Sequence, residues 1–317
     1  MLASLRSRRV NHKFHYDSIK QTQQWLALHA AYSPSRTEAD CAATYAKSFA
    51  AVAGRTRARR VHLVGLGCGG GRKDTSLLRR LCRLGKEVFY TPADVSTAMV
   101  LVARQTARTV VPVENCAPLV CDLATAADLP GVLDAWEPFR TGRARSSTHS
   151  AARLLTFFGM LPNFEPGVIL PRLAALVRRG DFLLLSANLA PGLDYAAGVE
   201  RILPLYDNRL THDWLMTFLL DLGVEWGDGE LRFVIEDARA ALSLKRVVAH
   251  FRFAKARRLE VEGEPFQFRA GERIRLFFSY RHTPDRVRTL LGRYGLRVLD
   301  EWITRSETEG VFLAAPH

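Results

Sequence analysis

Several things are scarce in this chain of 317 residues, and each scarcity closes a door. No uninterrupted apolar stretch reaches the ~18 residues that a membrane-crossing helix needs, so no such helix is expected. The opening MLASLRSRRVNHKFHYD is basic but lacks a sustained apolar run, which argues against a secretory leader. Five cysteines occur (Cys41, Cys68, Cys82, Cys116 and Cys121), an odd number with no C-x-x-C pair. That argues against a disulfide framework or a zinc site and fits a reducing, cytoplasmic setting. The nine histidines show no metal-ligand spacing, and no catalytic triad is legible among them.

Lysine is scarce as well. Seven of the 45 basic residues are Lys and 38 are Arg, and the net charge is +13. Such a charge raises the question of nucleic acid. The basic residues are spread out, however, over Arg6–Arg9, Arg55–Arg60, Arg140–Arg145 and Lys255–Arg258, and no aromatic residues interleave with them as a stacking platform requires. Solvated faces are the preferred reading, and nucleic acid is disfavoured as a partner.

What the chain does have is an ordinary apolar fraction of 48% and an alternation of strand and helix signals from about residue 48. Val61–Leu66 reads as a strand, Lys73–Leu84 as a helix with leucines at helical spacing, and Val88–Pro92 as a second strand. Ser96 caps a helix to Thr106, and Leu119–Cys121, Leu154–Phe158 and Asp181–Ala187 are three further strands. That order predicts a parallel, doubly wound α/β sheet with right-handed crossovers. A helix over His212–Leu222 and two alternating runs, LSLKRVVAHFRF and RIRLFFSYRHT, change the pattern to antiparallel strands. A helix over Pro284–Tyr294 and the strands LRVLDEWIT and GVFLAAP then complete the sheet with an antiparallel C-terminal strand. Residues 48–200 plus 284–317 are expected to form the sheet domain, and 1–47 plus 201–283 a smaller α+β domain.

The stretch VHLVGLGCGGGRKDTSLL joins the first strand to its helix through a glycine turn. A Walker loop is excluded, because Lys73 follows Arg72 and precedes Asp74 rather than Ser or Thr. A frame Gly65-x-Gly67-x-x-Gly70 fits the dinucleotide pattern, but a run of glycines supplies many frames. Gly67-x-Gly69-x-Gly71 with an acid ending the second strand is the pattern of S-adenosylmethionine (SAM) enzymes. Asp94 is that acid, 27 residues past Gly67, and its charge suits a pair of ribose hydroxyls. Asp122 ends the third strand and suits an adenine amino group. These features meet outside the carboxyl ends of the strands, where such sheets bind ligands.

The chain resembles the histidine-specific SAM-dependent methyltransferases of ergothioneine biosynthesis. The likeness runs through FHYDS, YSPSRTEAD, GLGCGGGRKDTSLL, ADVS, LLTFFGMLPNF and PLYDNRLTHDW. It implies a Rossmann-like class I methyltransferase sheet with a separate amino-acid-binding domain, and SAM as cofactor. It implies that Gly67, Gly69 and Lys73 serve the SAM loop, with Asp94 on the ribose and Asp122 on the adenine. It assigns Tyr16 and Tyr32 to the junction of SAM and substrate, Gly159 and Asn163 to the substrate's amino acid end, and Tyr206 to its carboxylate. Three departures stand out. Gly65 replaces an acid two residues before the first loop glycine. The Gly159–Asn163 segment is one residue shorter than the family pattern. The Glu of a Glu-x-Ser pair, which grips the histidine imidazole in the family, is Phe277 here, while Ser279 is kept. An imidazole N–H facing Phe loses a charge-assisted bond of roughly 1.5–3 kcal/mol. The expected activity is therefore N-methylation of a small amino-acid-like molecule with an apolar or aromatic side chain rather than of histidine. A catalytically silent SAM or amino-acid-binding relative, a nucleic-acid methyltransferase and a dehydrogenase remain as alternatives.

Overall fold

The computed structural model describes residues 1–135, 151–238 and 243–317; Arg140–Arg145 and His149 lie outside the described residues. In chain order, helices α1 (Leu2–Ser7), α2 (Ile19–Tyr32), α3 (Pro34–Thr37) and α4 (Ala39–Arg55) precede strand β1 (Arg60–Leu66). Then follow α5 (Arg72–Arg83), β2 (Glu87–Asp94), α6 (Thr97–Ala107), β3 (Leu119–Val120), α7 (Leu129–Ala135), β4 (Ala151–Phe157), α8 (Pro166–Leu176) and β5 (Phe182–Asn188). After them come α9 (Tyr195–Ile202), α10 (Arg209–Leu220), β6 (Gly229–Asp237), β7 (Lys245–Phe253), β8 (Arg257–Val261), β9 (Glu264–Phe268) and β10 (Arg273–Arg281). Helix α11 (Pro284–Arg293) and strands β11 (Leu296–Ile303) and β12 (Glu309–Pro316) end the chain. Among the described residues no helix is long and apolar enough to cross a membrane.

Contacts divide the chain into a large unit, Glu38–Asn188 with Pro284–His317, and a small unit, Met1–Thr37 with Leu189–Thr283. The first two divisions fall ten and twelve residues before those expected from the sequence, while the third falls at the same residue, and packing gives the reason. Cys41, Tyr45, Phe49 and Val52 recur at helical spacing on α4 and share one core with Val61 and Leu63 of β1 and Leu77 and Leu81 of α5. Tyr195 of α9 bridges two strands of the small unit: its hydroxyl donates to the Arg281 carbonyl at 2.7 Å and accepts from Lys245 N at 2.7 Å.

The large unit holds a seven-stranded sheet in the order β11-β12-β5-β4-β1-β2-β3. Strands β1 to β5 run parallel, and β12 pairs antiparallel with both β5 and β11. This is the doubly wound α/β sheet with an antiparallel C-terminal strand that the sequence predicts. The interior strand β1 is buried on both faces after its first residue, as expected for a parallel strand covered by helices. The strand order reverses between β1 and β4, β2 and β3 being added on one side of β1 and β4 and β5 on the other, so the topological switch point lies where the glycine turn leaves β1. The small unit holds a three-stranded antiparallel sheet, β10-β7-β6, and a hairpin of β8 and β9. Its core joins Trp214, Leu215 and Phe218 of α10 to Phe251, Phe253, Phe266, Phe268 and Ile274.

Candidate active site

At the switch point the large unit brings four segments together at the carboxyl ends of its parallel strands. Gly67 and Gly71 of the turn after β1 take positive φ, +63° and +70°, which Cβ-bearing residues rarely adopt. A Cβ on Gly71 would also lie 2.7 Å from Ala103 Cα, so the turn packs directly on α6. Asp94, the last residue of β2, closes the turn from the side. One of its oxygens accepts from Gly69 N at 3.1 Å and the other from Ser96 N at 3.0 Å. Burial raises the Asp94 pKa, and the bonds from Ser96, Gly69 and Val95 oppose that rise. A carboxylate offers about four acceptor sites, and these amides do not use them all.

Strand β3 ends at Val120, so Asp122 lies two residues beyond it rather than on its end. There it closes an Asx turn, accepting from Ala124 N at 3.0 Å. Gly159 follows β4 with φ +72° and open space where a Cβ would stand, and its N–H donates to Ser186 Oγ at 2.9 Å. Asn163 ends a short 3-10 turn over Leu161–Asn163. The structure thus gathers Gly67, Gly69, Asp122, Gly159 and Asn163 on loops, and Asp94 at a strand end, at one end of one sheet.

Lys73, in the first turn of α5, is engaged within the large unit. Its ammonium donates to Tyr45 Oη at 2.8 Å, lies 4.1 Å from the Tyr45 ring centre and sits 3.9 Å from Glu309. Tyr45 Oη donates to Glu309, and Cys41 Sγ donates to the same carboxylate at 3.3 Å. Burial and then Glu309 push the Tyr45 hydroxyl well above its usual range, so it stays protonated. Sequence reading missed Tyr45 and Glu309, which lie far apart in the chain and meet only because β12 pairs beside β5. It also missed a second cluster. The buried Asp74 accepts from Tyr90 Oη of β2 at 2.8 Å and from Thr156 Oγ1 of β4 at 2.7 Å. The one local signal was an acid in the first turn of a helix opened by glycines.

In the small unit the expected substrate residues gather on one sheet face. The register of β10 against β7 shifts between Arg275 and Phe277, leaving Leu276 as the extra residue. Such a bulge re-aims the side chains next to it. Beyond it, Phe277 and Ser279 face the same way as Ala249 and Val247, and Phe233 pairs with Ala249 from the other side. His15 steadies the bulge, with Nε2 donating to the Leu276 carbonyl at 2.7 Å. Burial lowers the His15 pKa to about 4, against the opposing pull of that bond, so the ring is neutral at pH 7. Phe277 lies edge-on to Trp214 with ring centres 5.9 Å apart, and 6.1 Å from Tyr206. Tyr206 Oη donates to Ser279 Oγ at 2.8 Å and accepts from Arg281 at 2.6 Å. Tyr16 joins the other end of the row, 5.6 Å from Trp214 and 6.0 Å from Trp25. Tyr32, the last residue of α2, is exposed and outside the row.

A seven-stranded sheet in this order, with a glycine turn after its first strand and carboxylates after the next two, defines a class I SAM-dependent methyltransferase. A family model described as histidine-specific methyltransferase, SAM-dependent, matches residues 1–316, and the chain belongs to that family. The N-methyltransferase imqF of Aspergillus flavus is 24% identical over 285 residues, which is 88% of this chain and 73% of that protein. Among solved structures, an S-adenosylmethionine-dependent methyltransferase from Clostridium acetobutylicum superposes with a TM-score of 0.44 at 12% identity, covering 93% of this chain and 98% of that one. The 1,6-didemethyltoxoflavin-N1-methyltransferase of Burkholderia thailandensis, solved with S-adenosylhomocysteine, gives 0.42 at 12% identity over 97% and 90%. The residues at the switch point suit SAM: a positive-φ turn, an open backbone at Gly159, and Asp94 and Asp122 with acceptor sites suited to hydroxyl and amino donors.

Proposed function

We propose that the protein methylates the amino group of an amino acid, or of a small molecule resembling one, whose side chain is aromatic or apolar. One observation carries the choice of side chain. Position 277, where the family carries the glutamate that grips imidazole, is a phenyl ring set in a row with Trp214, Tyr206 and Phe233. A surface of this kind favours an aromatic side chain by offset or edge-to-face contact. It offers an imidazole N–H no acceptor from position 277, and a site that lacks a partner for a buried polar group discriminates against it.

The cofactor is assigned to Gly67, Gly69, Lys73, Asp94 and Asp122, with Asp94 taking the ribose hydroxyls and Asp122 the adenine amino group. Tyr16 and Tyr32 are assigned to positioning the amine. Gly159 and Asn163 are assigned to the amino acid end, Tyr206 to the carboxylate, and Phe277 with Ser279 to the side chain. When bound, SAM supplies an electrophilic methyl group on a sulfonium. The chain's own task is to hold the neutral amine in line with that group and near 3–3.5 Å from it. No acid or base beyond a route for the departing amine proton is required. A small molecule is the acceptor in this reading, and the odd number of cysteines with no C-x-x-C pair supports a cytoplasmic setting.

Calorimetric titration of SAM into the protein and into Asp94→Ala tests the cofactor assignment. Binding by the first and loss by the second is expected. Equal binding by both, or by neither, defeats it. Mass spectrometry of an amino acid pool incubated with labelled SAM then reads the acceptor: label on aromatic or apolar amino acids supports the substrate class, and label on histidine alone overturns it.

A further inference from the structure

On the sequence, Gly65 reads as an acid lost from the end of β1. In the folded chain its side-chain space is taken. A Cβ built on Gly65 would lie 2.0 Å from Asp74 Oδ2, 3.0 Å from Asp74 Cγ and 3.2 Å from Tyr90 Oη. Gly65 stands in register between Pro92 of β2 and Thr156 of β4. Both of these neighbouring strands send a hydroxyl to the Asp74 carboxylate, Tyr90 from β2 and Thr156 from β4. The carboxylate therefore lies over the end of β1, beneath the glycine turn, reached from the first turn of α5.

We propose that the acid of the SAM site has been relocated rather than lost: Asp74 supplies the negative charge that the family carries at position 65, and position 65 is glycine because that carboxylate fills its side-chain volume. The proposal rests on the reading that the glycine turn holds SAM.

Three observations favour a ligand-directed charge over a packing pin. Both donors to Asp74 are neutral hydroxyls, and they use two of its roughly four acceptor sites. Among the described residues no cation lies within ion-pair distance of it; Lys73, its chain neighbour, points to Tyr45 and Glu309. Asp74 is only 3% exposed, and an unpaired carboxylate at such a place is costly to ionise. Burial accordingly pushes its pKa from 3.8 to about 6, with the bonds from Thr156 and Tyr90 and the charge of Lys73 opposing the rise. Tyr90 and Cys68 of the turn also lie within its electrostatic reach, and burial holds both the phenol and the thiol neutral. A hydroxyl or amide would join the same two hydroxyls without that cost. A cofactor carrying a sulfonium and an ammonium supplies the missing positive charge.

The test is a swap. SAM affinity is measured by calorimetry for the wild type, Asp74→Asn, Asp74→Thr and the double variant Asp74→Thr/Gly65→Asp, with thermal unfolding of each as the check on folding. A charge-assisted contact predicts a loss of roughly tenfold to a hundredfold in Asp74→Asn and Asp74→Thr. Returning the acid to position 65 restores affinity in the double variant. Wild-type affinity weakens more steeply as pH falls from 7 to 5 than that of Asp74→Asn, in which Asp94, also raised by burial, is the remaining carboxylate of the turn that titrates. Wild-type affinity in a folded Asp74→Asn, or a loss in Asp74→Thr that Gly65→Asp does not repair, overturns the relocation while leaving the cofactor reading intact. Failure of the wild type to bind SAM defeats the cofactor reading itself.

Discussion

Replacing Asp74 by Asn should make the unliganded protein more stable at neutral pH. Asp74 titrates near pH 6 in the folded chain against an ordinary 3.8, chiefly because burial penalises its charged form. Two pKa units correspond to about 3 kcal/mol. The sign follows from linkage: the folded state keeps this proton to a higher pH than the unfolded state does. The group therefore contributes its full stability below about pH 4, and that contribution is lost as pH rises through about 6. At pH 7 the wild type bears the whole cost of the buried charge. Asn fills the same volume, can join both hydroxyls and never ionises. Asp74→Asn should thus exceed the wild type by up to about 3 kcal/mol at pH 7, and the difference should close toward pH 4. His15 and His62, lowered to about 4 and about 3 by burial, lose stability as pH falls over part of this range, but they are common to both proteins and cancel. Urea titrations at several pH values, read by amide exchange in β1 and β4, measure the difference. A variant less stable than the wild type at pH 7, or a difference that does not vary with pH, refutes the reasoning.

Two further predictions concern the other clusters. Phe277→Glu returns a carboxylate to the aromatic row and should raise kcat/KM for histidine relative to an aromatic amino acid by roughly tenfold to a hundredfold, the worth of one charge-assisted bond; no change in that ratio removes Phe277 as the determinant of acceptor choice. Tyr45→Phe removes the hydroxyl that both Lys73 and Glu309 contact, leaving a buried carboxylate short of a donor. It should cost about 1–3 kcal/mol in chemical denaturation, and an unchanged midpoint would show that the pair repairs itself without it.

Much of the large unit was legible in the sequence because parallel strands and their helices announce themselves locally. The mostly apolar run Val61–Leu66, then glycines, then leucines at helical spacing can hardly be read otherwise. The switch-point residues followed from the same logic, since loops after parallel strands must meet at one end of the sheet. What the sequence hid was non-local. Phe277 and Ser279 share a face by alternation, but which face they take depends on the one-residue bulge against β7, which no period in β10 reveals. The meeting of Tyr45, Lys73 and Glu309 depends on where β12 inserts. Gly65 was visible as a departure, but the carboxylate that fills its space comes from the next helix.

Strand β12 is an interior strand, held by hydrogen bonds to β5 on one side and β11 on the other. Yet it is made only after the 189–283 segment, α11 and β11 have been synthesised. Until then β5 presents an unpaired apolar edge, and Lys73 and Tyr45 wait for the carboxylate of Glu309. The large unit therefore cannot complete its sheet during synthesis of its first part. The small unit has all its residues before the sheet closes. During that interval the exposed edge of β5 is the place where a chaperone, or a second nascent chain, has most to gain by binding.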